Sequence, residues 1–345
     1  MLSPDRHSRH RLFQPIGDQG QETIANARIT LVGCGALGSH AAALLVRAGV
    51  GTGDRGWLRI IDRDTVEISN LQRQALFDSR DAQEARPKAT AAAEHLTAID
   101  PGVRLDPVVR DFNPSNAARL VRDAELLLDG TDNFRTRFLI NDVAIAKSTP
   151  WIYGGAIASR GVVATIVPGV TPCLRCHLFQ TPPLGATETC DTVGVITPLP
   201  ALVASLQVTA ALRWLVERSF DRGVLAFDLW NGETRFQRIL VDAVPRPECR
   251  SCGTAELPGL SEEAEQIITL CGRNSVQIFS GREVALDSLE QMLATVAGPL
   301  HRSPESLTIE IPEGRLTLFD DGRLIVEGTT DPMQAQSIAA RYIGA

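Results

Sequence analysis

Between residues 28 and 130, apolar runs of strand length alternate with alanine-rich stretches whose apolar positions recur at helical spacing. RITLV, WLRII, VRLDPVV and ELLLD have the length and branching of strands, while SHAAALLVRAG, KATAAAEHLTAID and SNAARLVRDA suit helices. Strands joined by helices must run parallel, so the pattern predicts an α/β fold with a doubly wound, mainly parallel sheet. Two further β-rich runs follow in WIYGGAIASRGVVATIVPG, then a long buried helix in LPALVASLQVTAALRWLVE. VLAFDLW and TRFQRILVD read as a closing hairpin-like pair, and the first domain is expected to span residues 1–252.

Residues 253–266 are rich in Gly, Pro and acids and suit a linker. Apolar pattern resumes at IITLCGRNSVQIF, and residues 267–345 are expected to form a small α+β domain. Its strands are read at SVQIF, SLTIEI, RLTLF and RLIVEG, its helices at LDSLEQMLATVAG and PMQAQSIAARYIG, with Asp321 and Gly322 as a hairpin turn. No catalytic constellation stands out there.

At 345 residues, 44% hydrophobic and 22% charged, the chain has the composition of an ordinary folded protein. Its net charge of −7 is opposite to the basic footprint of a nucleic-acid binder, which argues against nucleic acid as the principal ligand. The apolar stretch 198–216 is interrupted by Pro200, Ser205, Gln207, Thr209 and Arg213, so it reads as a core helix and no membrane association is expected. The N-terminal MLSPDRHSRHRLFQ lacks the apolar core of a secretory signal, making the cytoplasm the expected location. Seven cysteines in a cytoplasmic chain point to metal ligands, nucleophiles or core residues before disulfides.

Gly33, Gly35 and Gly38 spell G-x-G-x-x-G between a strand and a helix, with Ala36 a binding candidate in the same loop, the Rossmann-like arrangement that lets a phosphate approach a helix N-terminus. Asp62 ends the next strand, where a carboxylate can accept ribose hydroxyls. These features fit a dinucleotide-dependent dehydrogenase as well as an ATP enzyme. The polar and basic residues beyond Asp62 separate the two: Asp64, then SNLQRQ with Ser69, Asn70 and Arg73, then Lys88 in RPK. Fixed cations beside a nucleotide phosphate serve attack at the α-phosphate, where charge develops on oxygen. Asp132 and Asn133 come after the strand ELLLD, where a carboxylate can hold the Mg²⁺ that accompanies ATP; the bland alternative is that they cap the next helix.

Cys173 and Cys176, with Cys249 and Cys252, form two C-x-x-C pairs with the donor set of a closed tetrahedral Zn²⁺ site; disulfides are the alternative. His177 is read as a bystander. Cys190 lies in a Gly/Thr/Pro-rich run and is either a nucleophile or a buried core thiol. Cys34 and Cys271 suit the core.

RHSRHRLFQPIG, GCGALGS, IIDRDTVEISNLQRQ, RPK, TDNFRTR, GGAI and the two cysteine pairs together resemble the ThiF/MoeB adenylyltransferases and their relatives, the ubiquitin-activating enzymes, over residues 6–252. The resemblance implies that Asp62 binds ribose, that Asn70, Arg73 and Lys88 handle phosphates, and that Asp132 serves Mg²⁺ and adenylation. It implies a structural zinc, an acyl-accepting or persulfide role for Cys190, and a homodimer in which Arg9 reaches into the other subunit's site. His7 and His10 stand where the family's N-terminal motif has Tyr and Gln. The partner it implies is a ubiquitin-like sulfur carrier ending in Gly-Gly, with a sulfur donor downstream. Activation for isopeptide conjugation and a catalytically silent nucleotide-binding scaffold are the competing readings.

Overall fold

The structure, a computed structural model, describes residues 5–177, 193–231, 236–239, 245–261, 267–270, 274–279, 283–293 and 299–343. The chain divides into two compact units, Met1–Glu262 and Glu263–Ala345.

The first unit begins with the short helices α1 (Ser8–Leu12) and α2 (Gly17–Ala25). The expected alternation comes next: β1 (Arg28–Val32), α3 (Ala36–Ala48), β2 (Trp57–Ile61), α4 (Ser79–Gln83), α5 (Lys88–Ile99), β3 (Leu105–Val108), α6 (Ala117–Leu120), β4 (Leu126–Asp129) and α7 (Phe134–Ala146). Then come β5 (Trp151–Ile157), β6 (Arg160–Ile166), α8 (Leu174–His177), α9 (Pro198–Glu217), β7 (Val224–Asp228), β8 (Gln237–Ile239) and a helical turn, α10 (Pro258–Ser261). The sheet order is β3-β2-β1-β4-β5-β6-β7-β8. The first five strands are parallel and the last three antiparallel, as an α/β reading requires.

One face of the sheet is covered by α3, α5 and α9, with α2 packed on α9; α6, α8 and α10 gather around α7. The helix α9 is long and apolar enough to span a membrane by length and composition, but it packs on α3, β5 and β6, burying Leu199, Val203, Ala204, Val208, Ala211 and Leu215. Residues 258–261, read from composition as linker, instead fold onto α7, because the Gly259 N–H donates to the buried Asp142 carboxylate at 2.7 Å.

The second unit is an antiparallel sheet in the order β11-β12-β13-β14-β10-β9, built from β9 (Ile267–Leu270), β10 (Ser275–Phe279), β11 (Leu300–Arg302), β12 (Ser306–Ile311), β13 (Gly314–Phe319) and β14 (Arg323–Glu327). Leu286 and Leu293 of α11 (Leu286–Leu293) and Ala335, Ile338 and Ala339 of α12 (Pro332–Ile343) close its core over Val276, Leu307, Ile309, Leu316, Leu318 and Val326. The sheet turns at Asp321-Gly322, where Gly322 has φ +84°.

Register sets the functional edge. Val32 pairs with Ile61 on one side and Asp129 on the other, so Gly33, Asp62 and Gly130 leave their strands at one level. Here the chain order reverses, since β2 and β4 flank β1, and ligands bind in the crevice outside such a point. Gly33 has φ +89°, and its peptide oxygen is boxed in: a Cβ on Gly38 would lie 2.0 Å from it and one on Gly130 2.2 Å. Gly35 is different, for a Cβ there would meet nothing nearer than the Gln74 amide at 3.8 Å. Protein packing therefore explains Gly33, Gly38 and Gly130 but leaves open space at Gly35. Gly38→Ala should lower unfolding free energy by at least ~2 kcal/mol in urea titration, because backbone must move to admit the methyl group. Gly35→Ala should cost less stability than Gly38→Ala while weakening nucleotide binding; equal losses of stability would contradict this division.

Candidate functional site

The loop between β1 and α3 is held by Asp62. Its Oδ2 accepts the Cys34 N–H at 2.6 Å and its Oδ1 the Asp64 N–H at 2.7 Å. Each oxygen keeps a further acceptor site. Burial pushes the Asp62 carboxyl up, against the opposing pull of Lys88. Lys88 is the first residue of α5 and is 2% exposed. Its backbone N–H donates to the Asp64 carbonyl at 2.8 Å and its Nζ lies 3.3 Å from Asp64 Oδ2. An ammonium removed from water in this way is retained only where anions face it.

The SNLQRQ segment forms a tight turn, with a 3₁₀ helix over Ile68–Asn70. Asn70 is buried and its Oδ1 accepts the Glu67 N–H at 3.2 Å, while Ser69 Oγ donates to Glu67 at 3.3 Å. Arg73 is half-buried and its Nη1 donates to the Ser69 carbonyl at 2.8 Å. Gln74 closes the segment with its Oε1 buried and without a hydrogen-bond partner, next to the open space at Gly35. An orphaned buried amide oxygen beside a side-chain-free helix N-terminus fits a site that a ligand completes.

Asp132 is exposed at the carboxyl edge of β4, where its Oδ1 accepts from Asn133 Nδ2 at 3.4 Å. Asn133 caps α7, its Oδ1 accepting the Thr136 N–H at 2.9 Å, so the capping reading describes this residue while leaving Asp132 available. Beneath them lies an ion pair that sequence reasoning missed. Arg137 Nε is 3.2 Å from Asp129 Oδ2, and Arg137 Nη2 donates to the carbonyls of Thr131 at 2.7 Å and Gly154 at 3.2 Å. Thr131 donates both its N–H and its hydroxyl to Asp129. Burial pushes the Asp129 carboxyl up and Arg137 pulls it back. From α9, the buried Gln207 amide donates to the carbonyls of Asp129 and Ile152, tying the end of β4 to the start of β5. Arg63 was also missed. It pairs with Asp111 at 2.9 Å and lies within electrostatic reach of Asp64 and Asp132.

Arg9 is exposed on α1, away from this edge. Its neighbour Arg6 donates to the Ile99 carbonyl and pairs with Asp100 at 3.4 Å, and the His7 ring packs against Gly49. These are the C-terminal ends of α5 and α3, whereas the glycine loop opens the N-terminal end of α3. A 13-residue helix is ~20 Å long, so Arg9 does not reach residues 33–36 of its own chain. Cys190 lies outside the described residues.

The four paired cysteines converge, all sulfurs lying within 4.8 Å of one another. Cys173 Sγ is 3.9 Å from Cys176, 3.6 Å from Cys249, and Cys176 is 3.3 Å from Cys252. A disulfide would need about 2.05 Å. Four thiolates at about 2.3 Å from one zinc at tetrahedral angles stand roughly 3.8 Å apart, so the donor set and its spacing fit Zn²⁺. His177 is outside the cluster.

Residues 7–251 match the ThiF family. Over 342 residues the chain is 40% identical to a protein of Bacillus subtilis (strain 168) named sulfur carrier protein ThiS adenylyltransferase, covering 98% of this chain and 99% of that one. It is 32% identical to the SAMP-activating enzyme E1 of Haloferax volcanii, over 75% of this chain and 92% of the relative. Among solved structures, E. coli MccB with MccA-N7isoASN shares the fold with a TM-score of 0.61 at 19% identity, over 73% of this chain and 75% of that one. The glycine loop, the carboxyl-edge charges and the paired cysteines thus sit in a chain that belongs to the ThiF family.

Proposed function

We propose that this protein is an ATP-dependent adenylyltransferase acting on the C-terminal glycine carboxylate of a ubiquitin-like sulfur-carrier protein. The observation that carries this reading is the buried Lys88 ammonium, held by Asp64 and within electrostatic reach of Asp62 and the glycine loop at the carboxyl edge of the sheet. Hydride transfer develops no new charge at phosphorus for such a cation to meet, whereas adenylyl transfer needs one where charge develops. The name and full-length similarity of the Bacillus relative support the same activity.

In this mechanism the glycine loop and the N-terminus of α3 at Ala36 receive phosphate, and the remaining acceptor sites of Asp62 take ribose hydroxyls. A carboxylate oxygen of the carrier attacks the α-phosphorus. The bond to the bridging oxygen breaks and pyrophosphate leaves with the electron pair, giving an acyl adenylate. Lys88, Arg73 and Asn70 meet the charge on the phosphate oxygens, Arg73 by turning from the Ser69 carbonyl. Asp132, with Asn133 beside it, would hold Mg²⁺, which supplies charge neutralisation at the phosphates. Zinc at Cys173, Cys176, Cys249 and Cys252 is structural, since four protein sulfurs leave no open position for chemistry. The adenylate is then primed for a sulfur donor or for Cys190. The Haloferax relative, named as an activating enzyme, favours conjugation as the second reading; the higher identity, extending through both units, favours sulfur transfer.

Two variants separate the steps. Asp132→Ala should reduce carrier-dependent ATP–pyrophosphate exchange by ~10²-fold or more. Cys190→Ser should leave exchange intact while abolishing the covalent or thiocarboxylate product detected by mass spectrometry. Exchange that survives Asp132→Ala contradicts the mechanism, and product formation at the wild-type rate in Cys190→Ser removes that thiol from it.

A symmetric homodimer completes each site with Arg9 of the partner subunit, because Arg9 is a helix length away from its own loop. Arg9→Ala and Arg73→Ala should each be inactive alone. Mixed and re-equilibrated, they should recover about one quarter of wild-type exchange, since half the dimers are mixed and each mixed dimer has one intact site. No recovery in a mixture shown to contain mixed dimers contradicts a shared site.

A further inference from the structure

Asp142 is a fully buried carboxylate for which the nucleotide chemistry has no use. It sits on α7, 0% exposed, and accepts four donors or charges from three segments. These are the Ser251 hydroxyl, the Gly259 N–H at 2.7 Å, the Asn141 amide at 2.9 Å and the Arg175 guanidinium at 3.6 Å. Arg175 lies between Cys173 and Cys176, and Ser251 between Cys249 and Cys252. Each cysteine knuckle therefore sends one intervening side chain to the same carboxylate.

The two side chains also meet each other. Arg175 Nε donates to Ser251 Oγ at 2.9 Å, and its guanidinium stacks 4.3 Å from the centre of the Phe138 ring. Asn141 Oδ1 accepts the Leu174 N–H at 2.8 Å, tying the first knuckle to α7 a second time. A buried carboxylate and guanidinium are no more stabilising than apolar packing unless every polar partner is placed, so their presence calls for a positional role. The knuckles come from sequence regions more than seventy residues apart, and this polar link joins them in addition to the apolar cluster they share with α7.

We infer that Asp142, through Arg175 and Ser251, presets the spacing of the four sulfurs and slows the release of their zinc. It is a positioning residue: it touches no sulfur and acts on ligand geometry, as outer partners of metal ligands do. The inference rests on the zinc reading of the four cysteines.

The test uses the full-length protein. Metal analysis and Co²⁺ titration of the wild type come first; a chain that carries no zinc and gives no sulfur-to-cobalt charge-transfer band overturns the zinc reading, and the clamp with it. On zinc-loaded protein, Asp142→Asn and Ser251→Ala should each speed zinc transfer to a chromogenic chelator by ~10- to 100-fold. Both should shift the Co²⁺ ligand-field bands away from the wild-type tetrahedral pattern. Val143→Ala, one residue along the same helix and equally buried, should lower thermal stability without either change. Wild-type release and spectra in Ser251→Ala, which keeps the charge pair and so tests the clamp even where Asp142→Asn does not fold, would overturn the inference. So would equal acceleration by Val143→Ala, the mark of general loosening.

Discussion

The site depends on how closely the ends of β1 and β4 approach one another. The Gly33 peptide oxygen is enclosed by the Cα atoms of Gly38 and Gly130, a contact that any side chain at these positions would push apart. Register leaves no alternative, because Val32 is paired to Asp129 and the next residues of both strands must turn away at the same height. The tight crossing draws the N-terminus of α3 to the crevice floor, where its unpaired N–H groups face outward. The rest of the chemistry is arranged around that floor.

Two buried carboxylates then hold the walls. Asp62 uses both oxygens on backbone amides of the glycine loop and of the segment just past β2, and Asp129 accepts from Thr131 while pairing with Arg137. Both are pushed up by burial and brought back by a cation, Lys88 in one case and Arg137 in the other. The two cations differ in consequence. Arg137 is consumed by three protein partners and serves the fold. Lys88 donates to Asp64 and lies within electrostatic reach of Asp62, and an ammonium with three N–H groups keeps donor capacity for a phosphate.

Much of this is legible in the sequence because the signals are local. The alternation from RITLV to ELLLD, the glycine spacing and the C-x-x-C pairs each reflect contacts within a few residues or a repeated period. The hidden part depends on partners far apart in the chain: Gly130 against Gly33, Gln207 against Asp129, Asp142 against Ser251. The helix α2 gives little signal since Ile24 is the only aliphatic side chain it buries, beside Gly20 and Gln21. β9 and β11 are four and three residues long, too short for a period to emerge. The stretch 258–261 has the composition of a loop and so reads as linker, yet one backbone bond to Asp142 holds it on α7. Asn133 is a residue whose bland reading, as a helix cap, describes its contacts.

In the proposed reaction a carrier carboxylate attacks the α-phosphorus of ATP in the β1–β4 crevice. The fate of oxygen tests this directly. A carrier labelled with ¹⁸O in its C-terminal carboxylate is incubated with enzyme, ATP, Mg²⁺ and the acceptor, and the nucleotide product is analysed by mass spectrometry. Attack at the α-phosphorus predicts AMP carrying one ¹⁸O, because the bridging oxygen stays with phosphorus when the acyl carbon is transferred. Unlabelled AMP, or ADP with ¹⁸O in phosphate, would contradict it.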